Sequence, residues 1–320
     1  MKPLVLVSTD KRNVPEEVVK NLEPLAEVVY VENNIDEYIG KAEALLVGGE
    51  KVDEEFLKKA PKLGIAARFG VGYDSVDVKA CTKNQVYVAH TPDVLSAGVA
   101  DHTWALILGF MRHIPAADTY VRERWAKREK RFEFGWELEN KTLGILGLGR
   151  IGKEVLKRAQ GFDLKIIYND VVRWKDLEGE HGVQFVNKEG LLRASDIMSI
   201  HVPLLESTRH FIGAHELELM KPTAVIVNTS RGQVVDEKAL YVALKEGKIR
   251  GAALNVFYEE PPPLDNPLLE LDNVILSPHC ASATWETRRK MAELAVENIR
   301  AYLEGERPPQ LVPEQREIEF

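Results

Sequence analysis

Short runs of Val, Ile and Leu alternate with longer amphipathic stretches along almost the whole chain. Residues 4–7, 27–31, 44–47, 64–67 and 86–89 have the length and β-branched content of strands, with helical periodicity between several of them. A long apolar helix is expected over 97–112, with Ser96 placed to cap it. A second strand series follows at 142–146, 165–168, 197–202, 224–228, 252–256 and 274–276. These runs are apolar on both faces, as parallel strands covered by helices on both sides must be. The pattern therefore predicts an α/β fold with two doubly wound parallel-sheet domains. A last helix, near 283–303, follows the final strand and is expected to return to the first half, which would make that half discontinuous. The predicted division is 1–96 with 286–320 against 97–285.

Composition narrows the function classes. The 320 residues suggest about two domains, and 45% hydrophobic with 29% charged residues is an ordinary globular balance. With 42 Lys and Arg against 50 Asp and Glu, the formal charge of −8 disfavours a nucleic-acid backbone or an anionic membrane as partner. Cys81 and Cys280 fit no disulfide or metal framework, and no paired-histidine spacing suggests a metal. No apolar run approaches a ~20-residue span and the N-terminal stretch lacks signal-peptide anatomy, so a cytoplasmic location is expected. The basic run over 122–131 contains interspersed glutamates and reads as a solvated helix face.

The strongest local signal is Gly147-Leu-Gly149-Arg150-Ile151-Gly152, placed between a predicted strand and a predicted helix. Gly147 permits a tight turn, Gly149 lets the backbone approach a pyrophosphate, and Gly152 allows close helix–strand packing, while the helix N-terminus offers N–H groups to phosphates. The next strand ends at Asp170, 18 residues beyond Gly152. A carboxylate there accepts from ribose hydroxyls and repels a 2′-phosphate, which favours NAD over NADP, although Arg173 stands nearby. Four more segments close predicted strands where doubly wound folds bind ligands: His201-Val202-Pro203, Asn228-Thr229-Ser230-Arg231-Gly232, Asn255 to Glu260-Pro261, and Ser277-Pro278-His279. An arginine, a glutamate and a histidine thus converge on one sheet edge beside a dinucleotide site.

These motifs, in this order, resemble the D-isomer-specific 2-hydroxyacid dehydrogenase family over nearly the whole length. Arg68-Phe-Gly-Val-Gly-Tyr-Asp74-Ser-Val-Asp77 and Val99-Ala-Asp101-His102 belong to the same resemblance, as does Thr208 after His-Val-Pro-Leu. The family implies a Rossmann NAD domain inserted in a discontinuous substrate domain, with substrate in the cleft, and a homodimer formed through the helices of 97–136. It also implies roles. Arg231 would bind a 2-oxo acid, His279 would protonate its carbonyl oxygen, and Glu260 would orient the imidazole and favour its charged form. Backbone N–H groups of Val71 and Gly72 would hold the substrate carboxylate. Thr208, Thr229, Ser230, Asn255, His279 and Ala281 would join the glycine loop, Asp170 and His201–Pro203 around NAD. Asn255 stands where the family commonly has aspartate, near the nicotinamide carboxamide, and is expected to accept from its NH₂. Thr91-Pro-Asp-Val-Leu most resembles the glyoxylate/hydroxypyruvate and 2-ketoaldonate reductase branch. Two other readings share these motifs: phosphonate (phosphite) dehydrogenase, and an NAD(H)-sensing binding module resembling the C-terminal-binding protein corepressors.

Overall fold

A computed structural model of the chain describes residues 2–31, 34–128 and 131–320, so Glu129 and Lys130 of the basic run lie outside the described residues. The chain divides into two compact units, Met1–Leu95 with Ala283–Phe320, and Ser96–Ser282.

The first unit holds β1 (Leu4–Val7), β2 (Glu27–Tyr30), β3 (Ala42–Val47), β4 (Ile65–Arg68) and β5 (Tyr87–Ala89), all parallel in the order β2-β1-β3-β4-β5. Its helices are α1 (Glu16–Val19), α2 (Glu54–Lys59) and α3 (Val78–Lys83). The second unit begins with α4 (Ser96–Met111) and α5 (Ile114–Glu123). Ser96, expected as a cap, is the first helical residue of α4. The unit continues through β6 (Thr142–Leu146), α6 (Arg150–Ala159), β7 (Lys165–Asn169), α7 (Lys175–His181), β8 (Gln184–Phe185), α8 (Lys188–Ala194) and β9 (Ile197–Ile200). It ends with α9 (Ala214–Leu219), β10 (Val225–Asn228), α10 (Glu237–Lys245), β11 (Gly251–Leu254) and β12 (Val274–Leu276). The sheet order is β12-β11-β10-β9-β6-β7-β8, parallel throughout. Both expected parallel sheets are present.

Side chains alternate between two core layers on the second sheet. Val225 and Val227 of β10 enter the layer with α4 and α6, whereas Ile226 enters the layer with α8, α9 and α10. This two-sided burial explains the continuous apolar runs. The sequence reaches β7 on one side of β6 and β9 on the other, so the topological switch point lies at the carboxyl ends of β6 and β9. The last helix, α11 (Trp285–Leu303), starts at Thr284, whose hydroxyl accepts from Thr287 N–H at 3.1 Å. It packs against β3, β4 and α1 in the first unit. Among the described residues, no helix is long and apolar enough to cross a membrane.

Candidate active site

Every candidate residue from Gly147 to Ala281 lies on a loop or helix start at the carboxyl ends of the second sheet's strands. Val71 and Gly72 lie in the first unit, in the turn after β4.

The glycine turn has the shape its sequence suggests. Gly147 has φ +91°, and a Cβ there would meet the backbone of His201 and Val202 at 2.9 Å. A Cβ on Gly152 would meet Gly147 O at 2.2 Å, so α6 can approach β6 only with glycine at that position. Gly149 is the N-cap of α6, has no side-chain cap, and faces open space. The first N–H groups of α6 therefore face a cradle shaped for a phosphate. Asp170 accepts from Leu148 N–H at 2.6 Å and Val172 N–H at 2.9 Å, which ties the carboxylate to the turn. These residues fit a nicotinamide dinucleotide. Arg173 is committed elsewhere: it pairs with Glu178 through two contacts of 2.8 Å and lies over the Phe185 ring.

The remaining loops are tied down by local bonds. His201 donates its N–H to Leu146 O at 2.7 Å and contacts Ser199 Oγ through Nε2 at 2.8 Å. Burial pushes its pKa down to about 3, so this imidazole is neutral. Thr208 donates its hydroxyl to Pro203 O and accepts from Leu205 N–H, folding the His-Val-Pro loop on itself. Asn228 accepts from Ser230 N–H and Oγ–H and donates to Arg231 O, which fixes the turn that carries Thr229, Ser230 and Arg231.

Gly232 explains how the arginine and glutamate loops meet. A Cβ on it would sit 1.9 Å from Phe257 O, so only glycine lets the turn after β10 touch the turn after β11. Gly232→Ala should destabilise the protein by about 1–3 kcal/mol and depress activity, because Arg231 and Glu260 lie on the two sides of that contact. Thermal unfolding with an activity assay checks this; an unchanged Tm with full activity contradicts it.

The centre of the site is a pair. His279 Nδ1 lies 2.6 Å from Glu260 Oε2. Burial opposes ionisation of Glu260, but the hydrogen bond and charge of His279, the Phe257 N–H and Arg231 outweigh it and hold the carboxyl below the usual range. An ionised carboxylate only accepts, so Nδ1 carries the proton and Nε2 is left to hold or release one. His279 itself has φ +45°, a left-handed conformation that costs a non-glycine residue about 1–3 kcal/mol. Its N–H donates to Asn255 O at 2.9 Å and Ser277 O at 3.1 Å, which stabilises the turn. A cavity of about 510 Å³ adjoins the pair, walled by Phe257, Pro261, Pro262, Leu276 and Pro278.

Two residues of α4 were missed as site residues by the sequence reading. His102 Nε2 contacts Ser277 Oγ at 3.0 Å, and Thr103 Oγ1 contacts Thr229 Oγ1 at 3.0 Å. Adjacent helix residues thereby anchor the ends of β12 and β10. The Val-Ala-Asp-His motif marks the place but carries no sign of these partners. The side-chain oxygen of Asn255 accepts from Cys280 N–H and Ser277 Oγ–H.

Comparison with known proteins identifies the family. Residues 104–281 match the family profile described as D-isomer specific 2-hydroxyacid dehydrogenase, NAD binding domain. The glyoxylate reductase of Korarchaeum cryptofilum is 46% identical over 98% of this chain and 96% of its own. An NADPH-dependent glyoxylate/hydroxypyruvate reductase from Sinorhizobium meliloti, solved with NADP and malonate, superposes with a TM-score of 0.88 at 33% identity, covering 98% of each chain. The D-lactate dehydrogenase of Aquifex aeolicus, solved with NAD and lactic acid, gives a TM-score of 0.84 at 32% identity, covering 94% of this chain and 96% of its own. The chain belongs to the D-isomer-specific 2-hydroxyacid dehydrogenases, enzymes that work with a nicotinamide cofactor.

Proposed function

We propose that the protein reduces glyoxylate, hydroxypyruvate or a similar small 2-oxo acid to the D-2-hydroxy acid with NADH, and catalyses the reverse reaction. The observation that carries this reading is the 2.6 Å Glu260–His279 pair on the same sheet edge as Arg231 and the glycine turn. Bound NADH supplies a hydride to the carbonyl carbon. Arg231 offers a planar set of donors to the substrate's carboxylate and carbonyl oxygens. His279 gives its Nε2 proton to the carbonyl oxygen, so the product gains one hydride on carbon and one proton on oxygen. Glu260 holds Nδ1–H and stabilises the imidazolium. In the oxidative direction, Nε2 takes the hydroxyl proton back. We assign the phosphates to the N-terminus of α6, the adenosine ribose to Asp170, and the rest of the dinucleotide to the loops bearing His201–Pro203, Thr208, Thr229, Ser230, Asn255 and Ala281. Val71 and Gly72 are proposed as backbone donors to an anionic group.

Among its cofactors we propose NAD rather than NADP. The Asp170 carboxylate would repel a 2′-phosphate, and Arg173, the nearby cation, is engaged by Glu178. We also propose a homodimer through the 97–136 helices. No residue of α5 is buried, and Ile114, Val121, Trp125 and Phe134 are exposed in that segment. A cytoplasmic location accords with a reaction drawing on the NAD(H) pool.

The test is a panel of NADH oxidation rates with glyoxylate, hydroxypyruvate, pyruvate, 3-phosphohydroxypyruvate and 2-ketogluconate, repeated with NADPH. Steady turnover with at least one small 2-oxo acid is expected, with NADH preferred by at least ~10-fold in kcat/KM, or ~1.4 kcal/mol. Absence of turnover with every acid contradicts the proposed reaction, and equal use of both cofactors contradicts the role of Asp170.

A further inference from the structure

Asn255 follows β11 and is 1% exposed. Its side-chain oxygen accepts from Cys280 N–H at 2.9 Å and from Ser277 Oγ–H at 3.1 Å. A backbone N–H can only donate, so Cys280 fixes which end of this amide is oxygen. The two acceptances use both lone pairs of that oxygen. Ser277 has one hydroxyl proton, and Asn255 Oδ1 at 3.1 Å is a nearer acceptor for it than Leu254 O at 3.4 Å; with it on Asn255, the Ser277 oxygen is free to accept from His102 Nε2–H at 3.0 Å. The chain His102–Ser277–Asn255 thus has a consistent direction. At its end the Asn255 NH₂ is buried with no hydrogen-bond partner among the described residues. A buried donor with no partner calls for an acceptor from a ligand.

The position of this donor indicates which ligand. If His279 protonates the substrate carbonyl, the hydride-bearing carbon of nicotinamide must lie against that same carbonyl. The ring's carboxamide is on the adjacent carbon, so it also falls near His279. His279 N–H is itself bonded to the Asn255 carbonyl at 2.9 Å. We infer that Asn255 gives a hydrogen bond from its NH₂ to the carboxamide oxygen of nicotinamide, rather than receiving one from the carboxamide nitrogen. This rests on the dehydrogenase reading above and adds the polarity of the contact. It makes the site a reader of the carbonyl oxygen, by a neutral donor.

A cofactor analogue separates the two polarities without catalysis. In 3-acetylpyridine adenine dinucleotide the carboxamide is replaced by an acetyl group, which keeps the oxygen and lacks the NH₂. Binding of NAD and of this analogue would be measured by calorimetry for wild type and Asn255→Asp. Wild type is expected to bind the two within about threefold. Asn255→Asp can only accept at this position, so it should bind the analogue at least tenfold more weakly than NAD, the scale of one hydrogen bond to a charged group. A wild-type preference for NAD greater than about threefold overturns the inference and leaves the dehydrogenase reading intact. The same holds if the two affinities keep their wild-type ratio in a folded Asn255→Asp protein. If wild type binds neither dinucleotide, the dehydrogenase reading falls, and this inference with it. Should the variant fail to fold, the wild-type ratio alone decides the polarity.

Discussion

Arg231→Ala is expected to lower kcat for glyoxylate by about 10²–10³-fold, with a rise in KM on top of it. The guanidinium follows β10 in a turn held by Asn228, and its charge is felt by Glu260 on the neighbouring turn. A 2-oxo acid brings a full negative charge on its carboxylate and gains another, transiently, on the carbonyl oxygen during hydride arrival. Arg231 is placed to bind the first and to stabilise the second. Its removal should therefore weaken both ground-state binding and the transition state. Arg173→Ala serves as the control: that guanidinium is spent on Glu178 and Phe185, so its loss should leave kcat for glyoxylate within a few-fold of wild type. Steady-state kinetics of the two variants decide this. Near-normal turnover in Arg231→Ala means that another group polarises the carbonyl.

His279→Ala should cost on the order of 10²–10⁴ in the rate of reduction. Without the imidazole, the developing alkoxide has no proton donor at its oxygen, and water must supply one. Dinucleotide binding should be far less affected, because the phosphate cradle at α6 and the Asp170 contacts are remote in sequence and built on β6 and β7. A large loss of NADH affinity together with little change in the rate at saturation contradicts the assignment of His279 as the acid.

Much of this arrangement is legible in the sequence. Strands such as β10, with Val225, Ile226 and Val227 all buried, read as uninterrupted apolar runs because helices cover both faces. The glycine turn was legible because two of its residues have no room for a Cβ, a demand that sequence records directly as glycine. Strand ends were less clear. The run predicted over 197–202 leaves the sheet after Ile200, since the His-Val-Pro segment turns across Gly147. The two-residue β8 is too short to show a period. What sequence could not show were pairings between distant positions. Arg173 stands in the sequence as a caution on cofactor choice, and nothing there shows that Glu178 and Phe185 hold it. His102 and Ser277 are 175 positions apart, and nothing in either neighbourhood announces the other. The polarity of Asn255 depends on Cys280 N–H, a backbone group that no residue identity reveals.

The most direct measurement is the pH dependence of kcat/KM for 2-oxo acid reduction in wild type, Glu260→Gln and His279→Ala. Glu260 titrates below the usual carboxylate range and is therefore ionised throughout the working range. Its charge stabilises the imidazolium, and reduction consumes that proton, so activity should fall as pH rises. Glutamine keeps the size and much of the hydrogen bonding but removes the charge, which makes the imidazolium easier to deprotonate. The alkaline limb is predicted to move to lower pH in Glu260→Gln and to vanish in His279→Ala. An alkaline limb that stays in place or moves upward in Glu260→Gln, while His279→Ala abolishes it, would contradict the pairing and leave His279 with a different partner.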